Sequence, residues 1–466
     1  MSRLVVVSNR VASVDEGQTA AGGLAVAVLA ALKESGGIWF GWNGETVQTA
    51  QTRPDTTQVG SLTYATMPMT RRDYTEYYTG FANSTLWPLF HYRLDLMHYD
   101  RRNFTGYMRV NGRFARALQP LLRKNDLIWI HDYHLIPLAE ELRRMGCEQR
   151  IGFFLHTPLP ALEILLALPR HDDLMRSLTA YDLVGFHTVN DLSAFFDYMV
   201  LEAGGEVLPD GVVRAFGRTL RAGVYPIGID TRNVVELAKR HDNSPQEKRL
   251  EVTLNHRHLI IGVDRLDYSK GLVERFAAYE HFLETFPENL GRITYLQIAP
   301  LSRKDVQTYA EIRRGLEQAT GRTNGRFADT DWTPIRYLNR NFPHDTLMGF
   351  LRAAQVCLVT PLRDGMNLVA KEYLAAQDPD DPGVLVLSNR AGAARELTAA
   401  LQINPYDPRA LGHALQTALT MSLGERRERH QQLVAGLRER SIGAWADGFL
   451  TTLRSAPKAP LARVAG

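Results

Sequence analysis

Short apolar segments recur along the chain, and each is followed within a few residues by polar or charged side chains. These segments do not alternate apolar with polar positions, which is typical of strands covered by helices on both faces. Between them, apolar residues recur at helical spacing, as in the stripe Leu272, Phe276, Tyr279 and Leu283 that stops before Pro287. The pattern predicts repeated strand–helix–strand units around mostly parallel sheets. The clearest predicted strands are residues 4–8, 127–131, 151–155, 183–187, 259–263, 293–298, 356–360 and 384–387.

The strand–helix pattern restarts after residue 228, near the middle of the 466-residue chain. We therefore predict an α/β fold with two Rossmann-like doubly wound domains that face a cleft, residues 1–228 and 229–438. A later apolar stripe that contains Trp445 and Phe449 predicts a C-terminal helix, residues 439–455, which packs back on the first domain. Residues 456–466 are expected to form a disordered tail.

Composition narrows the function classes only in part. Lys and Arg total 54 against 51 Asp and Glu, and the resulting net charge of +3 gives no argument for a nucleic-acid or membrane partner. The two cysteines, Cys147 and Cys357, form neither a disulfide framework nor a zinc motif, which favours a reducing compartment. The apolar run near the N-terminus is too short for a signal peptide or a membrane span. We predict a cytoplasmic protein that binds anions locally.

Candidate phosphate-binding groups follow the first predicted strand. Arg10 lies just beyond that strand, and Gly22 and Gly23 open the next predicted helix. Paired glycines let a backbone approach a ligand closely, and a helix N-terminus favours a phosphate. A plain tight turn and a surface ion pair explain the same residues equally well, so this signal alone is weak.

Polar side chains also follow the strands at 127–131 and 151–155. Asp132 is placed to accept hydrogen bonds from substrate hydroxyls or to act as a base, and His156 is a second polar group at a strand end. Nearby, the segment YYTGFANSTLWPLFHY is dense in aromatic rings, including Tyr78 and Trp87. Such rings can form a platform for a sugar, although ordinary core packing is the simpler explanation.

Two segments of the second half carry charge at strand-to-helix junctions. Arg265 and Lys270 bring two cations to a helix N-terminus, a suitable receptor for a diphosphate. In TPLRDGMNLVAKE, a turn at Asp364 leads into a helix whose first amides can hold phosphate, while Glu372 can receive a ribose diol.

Two other chemistries are considered and set aside. His131 to His134 forms an HDxH pattern, but further metal ligands are not spaced nearby, so we expect no metal site. Asp329 to Thr333 fits the DxDxT pattern of phosphatases, but the hydrophobic strand that this motif needs does not precede it.

Taken together, the segments resemble the trehalose-6-phosphate synthases, which are retaining glucosyltransferases of the GT-B architecture. The resemblance runs from residue 1 to about residue 455 and is closest to the bacterial members with a single activity. It rests on RLVVVSNR, AGGLA, WFGWNGE, YYTGFANSTLWPLFHYR, WIHDYHL, IGFFLHTPLP, VYPIGI, DRLDYSKGL, QIAPLSR and TPLRDGMNLVAKEY, which occur in the family's order.

The resemblance implies transfer of glucose from UDP-glucose to glucose-6-phosphate with retention, which yields α,α-trehalose-6-phosphate and UDP. UDP-glucose would be a co-substrate, without a metal or other cofactor, and the protein would be a homo-oligomer. The implied glucose-6-phosphate site comprises Arg10, Tyr78, Trp87, Asp132 and Arg303. Trp87 and Thr157 would govern anomer selection, and Thr157 stands where family members often have isoleucine or valine.

For the donor, the resemblance implies a site that comprises Gly22, Gly23, Arg265, Lys270, Phe342, Asp364, Leu368, Val369, Ala370, Lys371 and Glu372. His156 and Asp364 would contact the transferred glucose, and Arg265 and Lys270 would stabilise the charge of the leaving diphosphate. These four residues are the implied catalytic set. The sequence leaves open whether the donor carries UDP, GDP or ADP.

Two alternatives keep most of these residues. A pseudo-glycosyltransferase that joins cyclitol derivatives would retain nearly every phosphate contact. A non-catalytic homologue that senses sugar phosphate is the other, although such a protein would be expected to lose charged site residues that are present here.

Overall fold

Two sheets organise the chain, each in its own unit, one mostly and one entirely parallel. The computed structural model describes residues 2–11, 29, 32, 36–240, 245–301 and 307–458. The first unit comprises Met1–Ile227 together with Ile442–Gly466, and the second comprises Gly228–Ser441. The second unit was predicted to end at residue 438, and in the structure it ends at Ser441. Helix Leu423–Glu439 continues past residue 438, and the Arg440 carbonyl packs against Gly228 of the same unit.

The structure gives the bounds of sixteen strands within the described residues. They are β1 Leu4–Arg10, β2 Gly37–Val47, β3 Asp55–Val59, β4 Leu62–Thr70, β5 Leu127–His131, β6 Arg150–Phe154, β7 Leu183–Phe186, β8 Glu206–Val207, β9 Val212–Ala215, β10 Arg218–Val224, β11 His258–Val263, β12 Ile293–Ile298, β13 Ile335–Leu338, β14 Val356–Val359, β15 Val384–Ser388 and β16 Leu401–Ile403.

Helices connect these strands. The α-helices whose bounds the described residues give are Arg71–Asp73, Trp87–Phe90, Arg101–Leu118, Leu138–Arg144, Leu162–Leu165, His171–Leu178, Val189–Leu201, Thr231–Arg240, Pro245–Leu254, Leu272–Thr285, Gln307–Phe327, His344–Ala353, Leu368–Ala376, Pro408–Thr420, Leu423–Glu439 and Ile442–Ser455. A π-helix spans Tyr74–Leu86, and 3₁₀ turns span Leu94–Leu96, Gln119–Leu121, Tyr133–Leu135, Pro209–Gly211, Tyr268–Lys270, Pro287–Asn289 and Gly392–Arg395.

The sheet of the second unit has the order β13-β12-β11-β14-β15-β16, and its strands are parallel throughout. Numbered within the unit, this is 3-2-1-4-5-6, the order of the doubly wound Rossmann fold. The order reverses between β11 and β14, and ligands of such sheets bind outside the carboxyl ends of the strands at this point.

The sheet of the first unit is larger, with the order β3-β4-β2-β1-β5-β6-β7-β10-β9-β8. The seven neighbouring strands β4-β2-β1-β5-β6-β7-β10 are parallel, whereas β3 at one edge and β9 and β8 at the other add antiparallel pairs. Strand β1 lies between β2 and β5, so the strand order reverses there. The carboxyl ends of β1 and β5 are therefore the expected ligand position of this sheet.

The C-terminal helix Ile442–Ser455 packs on the sheet of the first unit through Phe449, which is fully buried. Its ring occupies the space above Gly152 on β6 and Gly185 on β7, where an added Cβ would lie 2.7 Å from it. Burying a phenylalanine contributes about 1.5–3 kcal/mol. The helix is thereby fixed to β6, the strand that His156 and Thr157 follow. Of the predicted tail, Ala456 is buried, and residues from 459 onward lie outside the described range.

The α/β prediction with two parallel-sheet domains is confirmed, and each of the eight predicted strands matches an observed strand within two residues at either end. In the described part of the chain, the structure contains no helix long and apolar enough to cross a membrane.

Candidate functional site

The first strand of the first unit delivers Arg10 to the carboxyl edge of the sheet, where its side chain is exposed. The guanidinium group lies against Gly44 and would be 3.1–3.2 Å from a Cβ at that position. Gly44 also has a φ of +92°, which disfavours any other residue. The loop after β2 therefore provides a cradle for the Arg10 side chain.

Asp132 follows β5 directly and is hydrogen-bonded to the end of β6. The Asp132 N–H donates to the Phe154 carbonyl oxygen at 2.8 Å, and the His156 N–H donates to the Asp132 carboxylate at 3.2 Å. The backbone of Asp132 has a φ of +74°, a strained conformation for a residue other than glycine. Such strain is characteristic of binding sites, and here it accompanies a partly exposed carboxylate.

His131 and His156 contact each other at the same edge. The His131 Nδ1 atom lies 3.0 Å from the His156 Nε2 atom. Burial lowers the pKa of His156 to about 3, and burial together with the neighbouring His156 lowers the pKa of His131 well below its usual value. Both imidazoles are therefore neutral at physiological pH.

The structure separates the aromatic segment into core and surface. Tyr77, Phe81, Trp87 and Phe90 are buried, so core packing explains most of the segment. Tyr78 is partly exposed, and its ring stacks on His134 at 5.8 Å with an interplanar angle of 12°.

The buried Trp87 ring contacts Tyr133 at 5.6 Å, and the Tyr133 hydroxyl donates to Asn83 at 2.9 Å. Trp87 therefore packs against Tyr133, the residue that follows Asp132 in the sequence. Thr157 is also buried, and its hydroxyl has no hydrogen-bond partner among the described residues.

In the second unit, the segment after β11 forms a tight turn that carries two of the predicted cations. Arg265 is exposed, and Lys270 ends the 3₁₀ turn Tyr268–Lys270 that Asp267 caps through the Ser269 N–H at 2.9 Å. Gly271 follows at a φ of +64°, and a Cβ there would lie 2.5 Å from the Thr360 carbonyl oxygen. Glycine at this position lets the turn approach the end of β14.

Lys270 and Asp364 meet at the reversal point of this sheet. The Lys270 ammonium lies 2.5 Å from the Asp364 carboxylate, and both side chains are largely buried. Asn367 donates its side-chain amide to the same carboxylate at 3.0 Å and caps the following helix through the Ala370 N–H at 3.3 Å. These two residues, each predicted from its own segment, therefore lie in one place.

Next to this pair lies Arg275, which was not among the predicted site residues. Arg275 is fully buried, and its guanidinium donates to Asp264 at 2.6 Å, to Thr360 at 2.8 Å and to the Lys270 carbonyl at 3.3 Å. Burial would lower its pKa, but the Asp264 carboxylate outweighs this and raises the pKa. The detectable signal is a charge at helical spacing from Leu272, on the apolar face of a predicted helix.

Helix Leu368–Ala376 begins directly after this turn. Its first N–H groups, which include those of Leu368 and Val369, have no partner within the helix and can bind phosphate oxygens. Ala370 is buried. Lys371 is fully buried and pairs with Glu396 at 2.8 Å, so its ammonium is committed inside the unit.

Glu372 lies 3.4 Å from the His344 ring, and the hydrogen bond to Glu372 raises the pKa of His344. Phe342, partly exposed, packs edge-on against Phe350 at 5.4 Å, with the Arg340 guanidinium 4.6 Å from its ring centre. Gly22, Gly23 and Arg303 lie outside the described residues.

Metal ligands are the remaining question at these sites. In the ranges that the structure describes, no group of three or more His, Cys, Asp or Glu side chains is placed to hold a metal ion. The absence of a metal requirement stays a prediction.

Comparison with known proteins gives the family. The sequence model of the family described as Glycosyltransferase family 20 matches residues 3–455, nearly the whole chain. The chain belongs to glycosyltransferase family 20.

Relatives in glycosyltransferase family 20 share about half of the sequence. A trehalose-6-phosphate synthase from Sinorhizobium fredii is 50% identical over 456 residues, which cover 97% of this chain and 98% of the relative. A solved alpha,alpha-trehalose-phosphate synthase (UDP-forming) from Burkholderia xenovorans, in complex with glucose-6-phosphate, is 52% identical with a TM-score of 0.95 and covers 97% of this chain and 100% of that one. A structure from E. coli bound with UDP-2-fluoro glucose is 49% identical with a TM-score of 0.94, and the coverage is 98% and 100%.

Proposed function

We propose that this protein transfers glucose from UDP-glucose to glucose-6-phosphate with retention and produces α,α-trehalose-6-phosphate and UDP. The observation that carries the proposal is the assembly of Lys270 and Asp364 at the reversal point of the second sheet. The predicted diphosphate and sugar contacts lie beside each other there, next to a helix N-terminus. Full-length identity of about 50% to synthases of this name supports the same activity.

The first unit would bind the acceptor. Arg10 would contact the phosphate of glucose-6-phosphate with Tyr78 and Arg303, and Asp132 would accept hydrogen bonds from the sugar hydroxyls. Trp87 and Thr157 would shape the pocket that selects the anomer. The exposed Arg10 side chain in its Gly44 cradle and the strained Asp132 backbone support this assignment.

Most of the predicted donor-binding residues belong to the second unit. The N-terminal amides of helix Leu368–Ala376 and the cations Arg265 and Lys270 would hold the diphosphate, and Glu372 would hold the ribose. His156 and Asp364 would contact the transferred glucose. Gly22, Gly23 and the main chain at Phe342 complete the predicted donor set.

In the proposed reaction, the C1 hydroxyl oxygen of glucose-6-phosphate attacks C1 of the donor glucose on the face from which the diphosphate leaves. The C1–O bond to the β-phosphate breaks as the new C1–O bond forms, and a phosphate oxygen takes the hydroxyl proton. Negative charge grows on the leaving phosphate, so Arg265 and Lys270 act as electrostatic catalysts. These steps need no metal ion, and full activity in excess EDTA is the expected result.

The test is a transfer assay with glucose-6-phosphate and UDP-, GDP- or ADP-glucose. The expected product is a disaccharide phosphate identified by mass that, after dephosphorylation, is cleaved by a trehalase specific for the α,α linkage. A product resistant to this trehalase, or a coupled cyclitol formed only when cyclitol substrates are offered, would contradict the proposal. Ligand binding without turnover for every donor would identify a sensor instead.

We further propose that the protein works in the cytoplasm as a homo-oligomer. Two buried free cysteines, Cys147 and Cys357, suit a reducing compartment. Light scattering of the purified chain measures the oligomeric state, and a monomer at assay concentration would contradict that part of the proposal.

A further inference from the structure

The contact between His131 and His156 requires one ring to donate and the other to accept. Nδ1 of His131 and Nε2 of His156 lie 3.0 Å apart, and the planes of the two rings are inclined to each other by 29°. A neutral imidazole carries one N–H and one bare nitrogen, so the pair has two possible arrangements. They differ in whether Nδ1 of His156, the nitrogen on the other side of the ring, is a donor or an acceptor.

In the first arrangement His131 donates from Nδ1. His131 then has a bare Nε2, and His156 carries its proton on Nδ1. In the second arrangement His156 donates from Nε2. His131 then carries a proton on its own Nε2, and Nδ1 of His156 is bare.

The surroundings of His131 Nε2 distinguish the two. This atom is fully buried and has no hydrogen-bond partner in the described part of the chain. The neighbouring rings are Trp129, with centroids 4.5 Å apart, and Trp445 at 6.3 Å. Indoles donate but do not accept hydrogen bonds, and the N–H groups of both tryptophans also lack an acceptor among the described residues.

Buried N–H groups without an acceptor are rarer than buried acceptors without a donor. A proton on His131 Nε2 would add a third buried donor to a region that already holds two. A bare nitrogen there avoids this cost, which favours the first arrangement.

We infer that His131 is a positioning residue that donates its Nδ1–H to Nε2 of His156 and thereby fixes the His156 proton on Nδ1. The His156 ring then presents a hydrogen-bond donor to a hydroxyl oxygen of the transferred glucose, an assignment that rests on the proposed function. Trp445 brings the C-terminal helix into this arrangement, because its ring also lies 6.0 Å from that of His156.

The direct test needs no substrate. Protein labelled with ¹⁵N in the histidine rings is examined at neutral pH by long-range ¹H–¹⁵N spectra, with His131→Asn and His156→Asn used for assignment. The expected result is that both rings are neutral with the proton on Nδ1 and a bare Nε2. A protonated Nε2 on His156, or an imidazolium at either position, would overturn the inference. Because this measurement does not involve transfer, it stands apart from any failure of the proposed function.

Kinetics test the consequence for the reaction. His131→Leu removes the donor, whereas His131→Asn keeps a side-chain N–H close to the position of Nδ1. We expect the leucine variant to lower kcat about tenfold, with KM for UDP-glucose nearly unchanged, and the asparagine variant to recover most of that loss. Equal losses in two variants of equal thermal stability would contradict a role for the donated hydrogen bond. If the leucine variant does not fold, the spectra of the wild-type protein still decide.

Discussion

At the strand ends of the first unit two neutral imidazoles contact each other, whereas at the strand ends of the second unit the contact is an ion pair. His131 and His156 lie among tryptophan rings, and burial keeps both uncharged. Lys270 and Asp364 instead form a close pair next to the buried Arg275. The same position in two parallel sheets therefore supports two kinds of chemistry.

The difference follows from what each proposed ligand requires. A donor to a sugar hydroxyl works best when it is neutral and fixed in one tautomer, and a dry aromatic environment provides this. A leaving diphosphate needs fixed positive charge. The buried Arg275 donates to the Lys270 carbonyl and to Thr360, and it thereby holds the turn that carries the Lys270 ammonium against the end of β14. We therefore expect the second unit to lose stability or activity when Arg275 or Lys270 is replaced by an uncharged residue. We expect the first unit to lose stability when His156 is protonated.

The largest expected effect is on stability, from Arg275→Met. The substitution leaves the Asp264 carboxylate buried without its cation and should lower the free energy of unfolding by about 3–5 kcal/mol. Denaturant unfolding measures this. Arg322→Met is the control in the same unit, because Arg322 pairs with Glu280 on the surface and should matter far less. Similar losses in the two variants would contradict the importance of the buried pair.

Lys270→Ala is expected to act on catalysis. Removal of the cation takes away stabilisation of the leaving diphosphate, so kcat should fall about 10²–10³-fold. Steady-state transfer assays measure the change, and the matched variant Lys239→Ala removes an exposed lysine of the same unit. Wild-type turnover in Lys270→Ala would show that this ammonium does not stabilise the transition state.

The neutral histidines predict a pH dependence of stability. The pKa of His156 is about 3 in the folded protein, and it is about 6.5 in an unfolded chain. Its contribution to stability is therefore complete above about pH 6.5 and is lost as the pH falls toward 3. Thermal unfolding of His156→Asn should lose less stability than wild type between pH 6.5 and 4. Parallel pH profiles for the two proteins would indicate that folding does not lower the pKa of His156.

The smallest expected effect comes from Thr157→Val, which removes a buried hydroxyl without a described partner. Valine has the same shape, so the free energy of unfolding should rise by about 1 kcal/mol, while KM for glucose-6-phosphate rises about fivefold if the hydroxyl binds the acceptor. Chemical unfolding and acceptor titration measure the two effects. Lower stability in the valine variant would mean that the hydroxyl already has a partner in the fold.

Sequence patterns predicted the centre of both sheets better than their edges. Strands such as β5 and β12 are buried along their whole length and are mostly apolar, and the predicted bounds coincide with the observed ones. The strands that were missed include β3, which is exposed along its length, and β9, where exposed and buried residues alternate. An exposed edge strand has no apolar run to reveal it, so its pairing depends on the neighbouring strand.

The candidate site shows a similar limit. Lys270 and Asp364 were predicted because each follows a strand, a relation visible along the chain. The partners of Arg275 and the contact between His131 and His156 were not, because they depend on which strands become neighbours in the sheet. The sequence can place a polar group at a strand end, but it does not show which partner lies across from it.

Arg10 is assigned to the acceptor and Lys270 to the donor, and calorimetric titration of Arg10→Ala and Lys270→Ala with glucose-6-phosphate and with UDP distinguishes the two roles. We expect Arg10→Ala to weaken binding of glucose-6-phosphate and to leave that of UDP unchanged, and Lys270→Ala to do the reverse. Equal weakening of both ligands in either variant, or loss of glucose-6-phosphate binding in Lys270→Ala alone, would contradict it.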